Sequence, residues 1–170
     1  MDVPYLTTIN RLRTGRIEYT ILQEMCHTAK NLYNYTLYTV RQHFFETGKF
    51  LNYEKAYHIV KSNENYKCLP SQTAQQVMKS VNEAFHSFFG LISKKRIESY
   101  TLKVHIPHYL PKDGVREITF PPAHFKILQN QIRLSLPKSI KEKYNVKFLY
   151  FPIPPQIRDY LVKEVHLLPY

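Results

Sequence analysis

Apolar residues recur at Ala74, Val77, Met78, Val81, Phe85, Phe88 and Ile92. That i, i+3, i+4 rhythm marks a helix with one buried stripe, and it predicts a helix over residues 69–95. Pro70 suits the first turn, where its missing N–H is no loss. The opposite face carries Gln72, Gln75, Gln76, Lys79, Asn82, Glu83 and His86. It is rich in side-chain amides and poor in the Glu–Lys pairs of an ordinary solvated helix. A second stripe, Ile17, Ile21, Met25, Ala29, Leu32, Thr36, Val40 and Phe44, predicts a helix over 16–46 that Gly48 ends. Residues 53–61 pattern as a short helix, and 62–67 as a polar loop. Residues 3–13, broken off by Gly15, read as a strand, so the first hundred residues are one strand and a helical hairpin with a small helix between.

Beyond residue 100 the period changes to two. Ile118 and Phe120, Phe125 and Ile127, and Ile132, Leu134 and Leu136 alternate with polar residues, and 128–131 is a tight turn. Residues 146–151 and 162–168 are further strands, with proline kept to strand ends as a sheet requires. These elements predict an α+β fold. Residues 1–15 and 101–170 form a small antiparallel β-barrel, OB-like, interrupted after its first strand by a helical insertion over 16–100. The last strand has no partner after it, so an unpaired edge, or pairing by another chain, is expected there.

Charge adds a partner to this picture. The chain of 170 residues has a net charge of +11, distributed as +5 over residues 1–100 and +6 over 101–170. A basic body of this kind points to a polyanion. The 14 Tyr and 10 Phe set among those charges suit base stacking. Cys26 and Cys68 lie far apart, which favours free thiols in a reducing compartment. No basic-then-apolar leader opens the chain, and no apolar run approaches the ~20 residues of a membrane span.

Catalytic chemistry finds little support. The three aspartates, Asp2, Asp113 and Asp159, do not form the carboxylate set that two-metal phosphodiester cleavage needs. His105 and His108 make an H-x-x-H, but an extended chain points i and i+3 to opposite faces, so no metal site is read there. Four glycines leave no phosphate-cradling loop. Arg11, Arg13 and Arg16 cluster at the first strand–helix junction, as phosphate contacts or as a solvated turn.

Three stretches carry a family resemblance. SQTAQQV followed by AFHSFF, within 69–95, resembles the second long helix of the TnpB (OrfB) proteins of insertion sequences, RNA-guided DNA nucleases related to type V CRISPR effectors. KNLYNYTLYTVRQHFFETGKFLNY, at 30–53, is similar to that family's first recognition helix and following loop. VHIPHYLPKDG, at 104–114, resembles the basic run leading back into its wedge barrel.

The resemblance implies a nucleic-acid-binding front portion, wedge plus recognition domain, of an RNA-guided endonuclease. Its RuvC-type nuclease domain, where Mg²⁺ would act, is not matched here and would be supplied in cis or in trans. The implied partners are a guide RNA and double-stranded target DNA, in a prokaryotic, nucleoid-associated cytoplasmic setting without a membrane. Tyr53, Ser71 and Gln75 fall where the family faces the duplex of the target-flanking motif, with Gln72, Gln76 and Lys79 on the same stripe. Arg11, Arg13, Lys103, His105, His108 and Lys112 are the implied RNA contacts. A nuclease-deficient RNA-guided regulator and a basic interaction module fit the same residues.

Overall fold

The computed structural model describes residues 5–97 and 101–169. Val3 and Pro4 of the expected first strand, and the boundaries at residues 100 and 170, lie outside the described residues. The elements in order are α1 (Arg16–Thr47), α2 (Tyr53–Val60), α3 (Glu64–Lys67), α4 (Ser71–Arg96), β1 (Ile118–Phe120), β2 (Phe125–Ile127), β3 (Gln131–Ser135), α5 (Lys138–Tyr144), β4 (Phe148–Pro152) and β5 (Val165–Leu167).

The two long helices form where the apolar stripes predict them. Ile21, Met25, Ala29, Leu32, Thr36 and Val40 of α1 are buried, as are Ala74, Val77, Met78, Val81 and Phe85 of α4. Gly48 ends α1 in the left-handed conformation, φ 67°, where a Cβ would be strained. Their relative direction differs from a hairpin. Phe44 meets Phe89 with ring centroids 5.6 Å apart, while Arg116 touches both Tyr33 and Ser80. Late residues of α1 therefore face late residues of α4, and the helices run the same way. The chain returns between them through α2 and α3, the latter a single turn where a loop was expected.

A strap of irregular chain then travels back along α1. Arg41 Nη1 donates to the Pro107 carbonyl at 3.3 Å. The Asn34 amide both donates to the Leu110 carbonyl and accepts from the Leu110 N–H, at 2.9 and 2.8 Å. Lys30 Nζ donates to the Lys112 carbonyl at 2.6 Å, and His27 Nδ1 lies 3.3 Å from that of Gly114. Finally the Arg116 N–H donates to the Cys26 carbonyl at 3.1 Å. These rungs satisfy backbone groups that no strand partner would otherwise reach.

Two small antiparallel sheets follow. β1 pairs with β5, Thr119 opposite His166, and β2–β3–β4 form a three-stranded meander with Arg133 opposite Tyr150. The 128–131 turn is present, the Leu128 N–H donating to the Gln131 carbonyl at 2.8 Å. Thr73 Oγ1 donates to the Thr119 carbonyl at 2.8 Å and fastens the start of α4 to β1. One apolar core runs from Met25 and Val81 through Phe120 to Leu149 and Phe151.

Three expectations need correction. Among the described residues no closed barrel forms: the two sheets share no strand, and each strand is only three to five residues long. Prolines at 121, 122, 137, 152, 154 and 155 remove ladder donors at nearly every strand end. Residues 5–15 form no strand. Leu6, Ile9 and Leu12 recur every three residues, so neither face of a strand would be apolar throughout, and Leu6 and Ile9 stay over three-quarters or about that exposed (75% and 77%). The last strand is not unpaired, because β5 finds β1, which precedes it in the chain.

Helix α5 was not foreseen, having Ile140 alone as a buried residue. It is tied to α1 by Glu24, which accepts from Lys143 Nζ at 2.7 Å and from the Tyr144 hydroxyl at 2.6 Å. Burial opposes ionisation of Glu24, but those hydrogen bonds outweigh it and hold the carboxyl below its ordinary value.

Candidate nucleic-acid interface

The polar stripe of α4 meets α2 across an open groove of about 320 Å³, lined by Tyr53, Glu54, Tyr57, His58 and Gln75. Local rules put α2 there. Asn52 caps it, its side chain accepting from the Lys55 N–H at 3.2 Å. The Tyr53 N–H, one of the orphan donors of a helix start, is taken by Asn82 of α4 at 3.1 Å. Tyr53 is thereby held beside Lys79, whose ammonium stands 5.6 Å from the ring centroid.

The groove floor is phenolic. Tyr57 lies 6.2 Å from Tyr53 and 6.0 Å from Tyr66, ring centre to ring centre. Burial raises the Tyr53 hydroxyl above its ordinary value, with Tyr66, Tyr57 and Glu54 adding to the shift; burial raises Tyr66 as well. Both therefore stay protonated at neutral pH. Gln75 is half-buried and donates through Nε2 to the Tyr66 hydroxyl at 3.3 Å. Its amide is thus partly engaged, where the sequence suggested a free side chain.

Of the other stripe residues, Ser71, Gln72 and Lys79 are exposed and Gln76 is half-buried. The Gln72 N–H donates to His124 Nε2 at 3.2 Å, so an imidazole caps a helix whose own N-cap, Pro70, offers no side-chain acceptor. Burial lowers the His124 pKa and keeps the ring neutral for that task. The structure thus gathers Tyr53, Gln75 and Lys79 at one groove and leaves Ser71 and Gln72 at the start of α4.

The second predicted set is split. Arg11 and Arg13 are exposed in the irregular 5–15 segment. Lys103, His105, His108 and Lys112 are exposed along the strap and its approach. The two histidine rings lie 5.7 Å apart, not on opposite faces, because the strap is not a strand and its pleat does not apply. Among the described residues no group of three His, Cys, Asp or Glu stands where it could hold a metal ion. Beside His108, Arg41 is flanked by the rings of Tyr109 at 4.8 Å and Phe45 at 5.6 Å, its Nε buried without a hydrogen-bond partner.

Cys26 and Cys68 are free thiols, and burial pushes Cys26 up to about 12, which makes it a packing residue rather than a nucleophile. Sequence reasoning missed Arg41, Arg116 and His124, whose roles come from contacts across 36 to 90 residues of chain. Tyr57, one turn after Tyr53 on the same short helix, was legible from spacing alone.

No protein-family profile matches this chain. The chain is similar to a TnpB-like protein. The relative is TnpB-like protein ORF457 of Acidianus two-tailed virus, 33% identical over 108 residues. Those residues are 62% of this chain and 22% of the viral protein, so the chain spans about a fifth of the curated relative it matches. The match supports a relation to the TnpB family over the shared part. No helix among the described residues is long and apolar enough to cross a membrane.

Proposed function

We propose that this chain is a nucleic-acid-binding portion of a TnpB-like, RNA-guided DNA-targeting protein, which binds guide RNA and the target-flanking motif of duplex DNA. The observation that carries the reading is the α2–α4 groove, where Tyr53, Gln75 and Lys79 stand together on a polar stripe with exposed Gln72 and half-buried Gln76. A net charge of +11 and the similarity to a TnpB-like protein support it. In RNA-guided recognition, base pairing reads most of the target and the protein reads a short motif plus the backbone. Gln75 offers a side-chain amide of the kind that pairs with adenine N6 and N7, and Lys79 offers a phosphate contact. Arg11, Arg13, Lys103, His105, His108 and Lys112 contact the RNA backbone.

The chain's own residues bind rather than cut. The resemblance implies Mg²⁺-dependent cleavage in a RuvC-type nuclease domain, but no set of carboxylates among the described residues fits that ion.

The test is binding of the RNA-loaded protein to a panel of duplexes that vary each base of the flanking motif. Gln75→Ala should lose about 1–3 kcal/mol of discrimination at one base. Lys79→Ala should weaken all duplexes evenly and lower the salt slope by about one. Absence of both effects would return this helix face to plain solvated surface.

A further inference from the structure

The three-stranded sheet turns one face away from the core. Strand alternation sends Leu134, Leu149 and Phe151 inward, and all three are buried. The same alternation sends Lys126, Arg133 and Tyr150 outward, and the register sets them in one row across the sheet, Lys126 opposite Arg133 and Arg133 opposite Tyr150. The next row holds Ser135 opposite Phe148. Tyr150 is 46% exposed, and its ring centre lies 6.3 Å from that of Phe148, nearly edge-on at 69°. The Arg133 guanidinium covers Phe148 at 4.3 Å, and Lys141 of α5 approaches the same ring at 5.5 Å. The three strands read FKI, QIRLS and FLYFP, without an acidic residue.

A plain solvated sheet face would carry small polar residues and mixed charge. This one carries the rings of Phe148 and Tyr150 with Arg133, Lys141 and Lys126 about them, on strands without an acidic residue, a surface complementary to stacked bases joined by phosphates. Duplex nucleic acid keeps its bases stacked on one another, so only an unpaired strand offers the π-faces that such a surface takes.

We propose that this sheet face is a stacking platform for single-stranded RNA, one base lying on Tyr150 while Lys126, Arg133 and Lys141 hold the neighbouring phosphates. The choice of RNA rests on the function proposed above; the platform itself shares no residue with the α2–α4 groove. Arg133, stacked on Phe148, is pre-set for its phosphate and loses little side-chain freedom on binding.

The chain contains no tryptophan, so Tyr150→Trp places a sole indole on the platform. Titration with oligo(U) should quench its fluorescence saturably, whereas Tyr160→Trp, at a 64% exposed position outside the sheet, should not respond. Tyr150→Phe should bind oligo(U) like the parent, and Tyr150→Leu about tenfold or more weaker, as the loss of one stacked base requires. Duplex RNA should be indifferent to Tyr150→Leu. Equal quenching at both positions, or oligo(U) affinity untouched in the folded Tyr150→Leu variant, overturns the platform. A preference for oligo(dT) overturns the assignment to RNA. Tyr150→Leu neutral beside a Lys79→Ala variant defective on duplex DNA removes the platform alone; the converse removes the groove reading alone.

Discussion

At the scale of single residues, His124 is the contact most open to manipulation. Its Nε2 accepts the Gln72 N–H only when the ring is neutral, and a protonated ring would also sit at the positive end of the α4 dipole. Burial lowers its pKa from the ordinary 6.5, so the unfolded chain takes up this proton first as pH falls. The contribution is therefore complete above about pH 6.5 and declines below it, levelling off beneath the folded-state pKa. His124→Asn keeps an acceptor without a titration. The fall in denaturation midpoint between pH 7 and pH 5 should be smaller in that variant than in the parent, and identical falls would show that His124 carries no such load. Nothing in the sequence around Pro121, Pro122 and Ala123 announces this role. It exists only because a turn following β1 lands at the start of a helix that precedes it.

Among elements, the strap depends on Asn34 more than on any other rung, since one side chain serves both backbone groups of Leu110. Asn34→Ala leaves a half-buried N–H and C=O without that partner and should cost about 1–3 kcal/mol. Urea denaturation reads the loss, and hydrogen exchange at the Leu110 amide should quicken well beyond that at Val81; an unchanged midpoint would mean the strap is held elsewhere. The contrast between strap and helices explains what a sequence displays. The α1 and α4 stripes repeat over many turns and were legible to within a residue or two. The direction of α4 was not, because residues 48–70 are long enough to return the chain or to reverse it. The β5 partner was sought after it in the chain and lay before it. A barrel was inferred from alternating residues whose strands proved too short, and too interrupted by proline, to close one.

For the molecule as a whole, charge is the property that acts at a distance. The +5 over residues 1–100 and the +6 over 101–170 would give helices and sheets alike a favourable potential toward a polyanion. Binding to RNA should weaken linearly in log affinity against log salt, each phosphate engaged contributing a slope of about −0.7 to −0.9. A salt-independent affinity would contradict this. The candidate site divides along the same lines of legibility. Tyr53, Gln75 and Lys79, candidates from sequence, fall on predicted helices and stand at one groove, although the bond from Gln75 to Tyr66 had no signal in the sequence. Tyr150 and Phe148 lie in a strand the alternation had already located, and reading its outward positions would have found them.

The strap and α1 work as two rulers of unequal graduation. From Arg41 to His27 the helix advances about 21 Å, at ~1.5 Å per residue. Over the same stretch, from Pro107 to Gly114, the strap spends half as many residues, with Lys112 and Asp113 in a turn that the Gly114 N–H closes on the Pro111 carbonyl at 3.0 Å. One graduation of the strap therefore matches two of the helix, and the rungs are the places where the scales coincide. Removing one strap residue would shift all later rungs by about two helical positions, to side chains roughly 200° around the axis, where no sliding brings them back. The span between the far end of the long helices and the sheets is thus set by residue count, as a gauge block sets a gap.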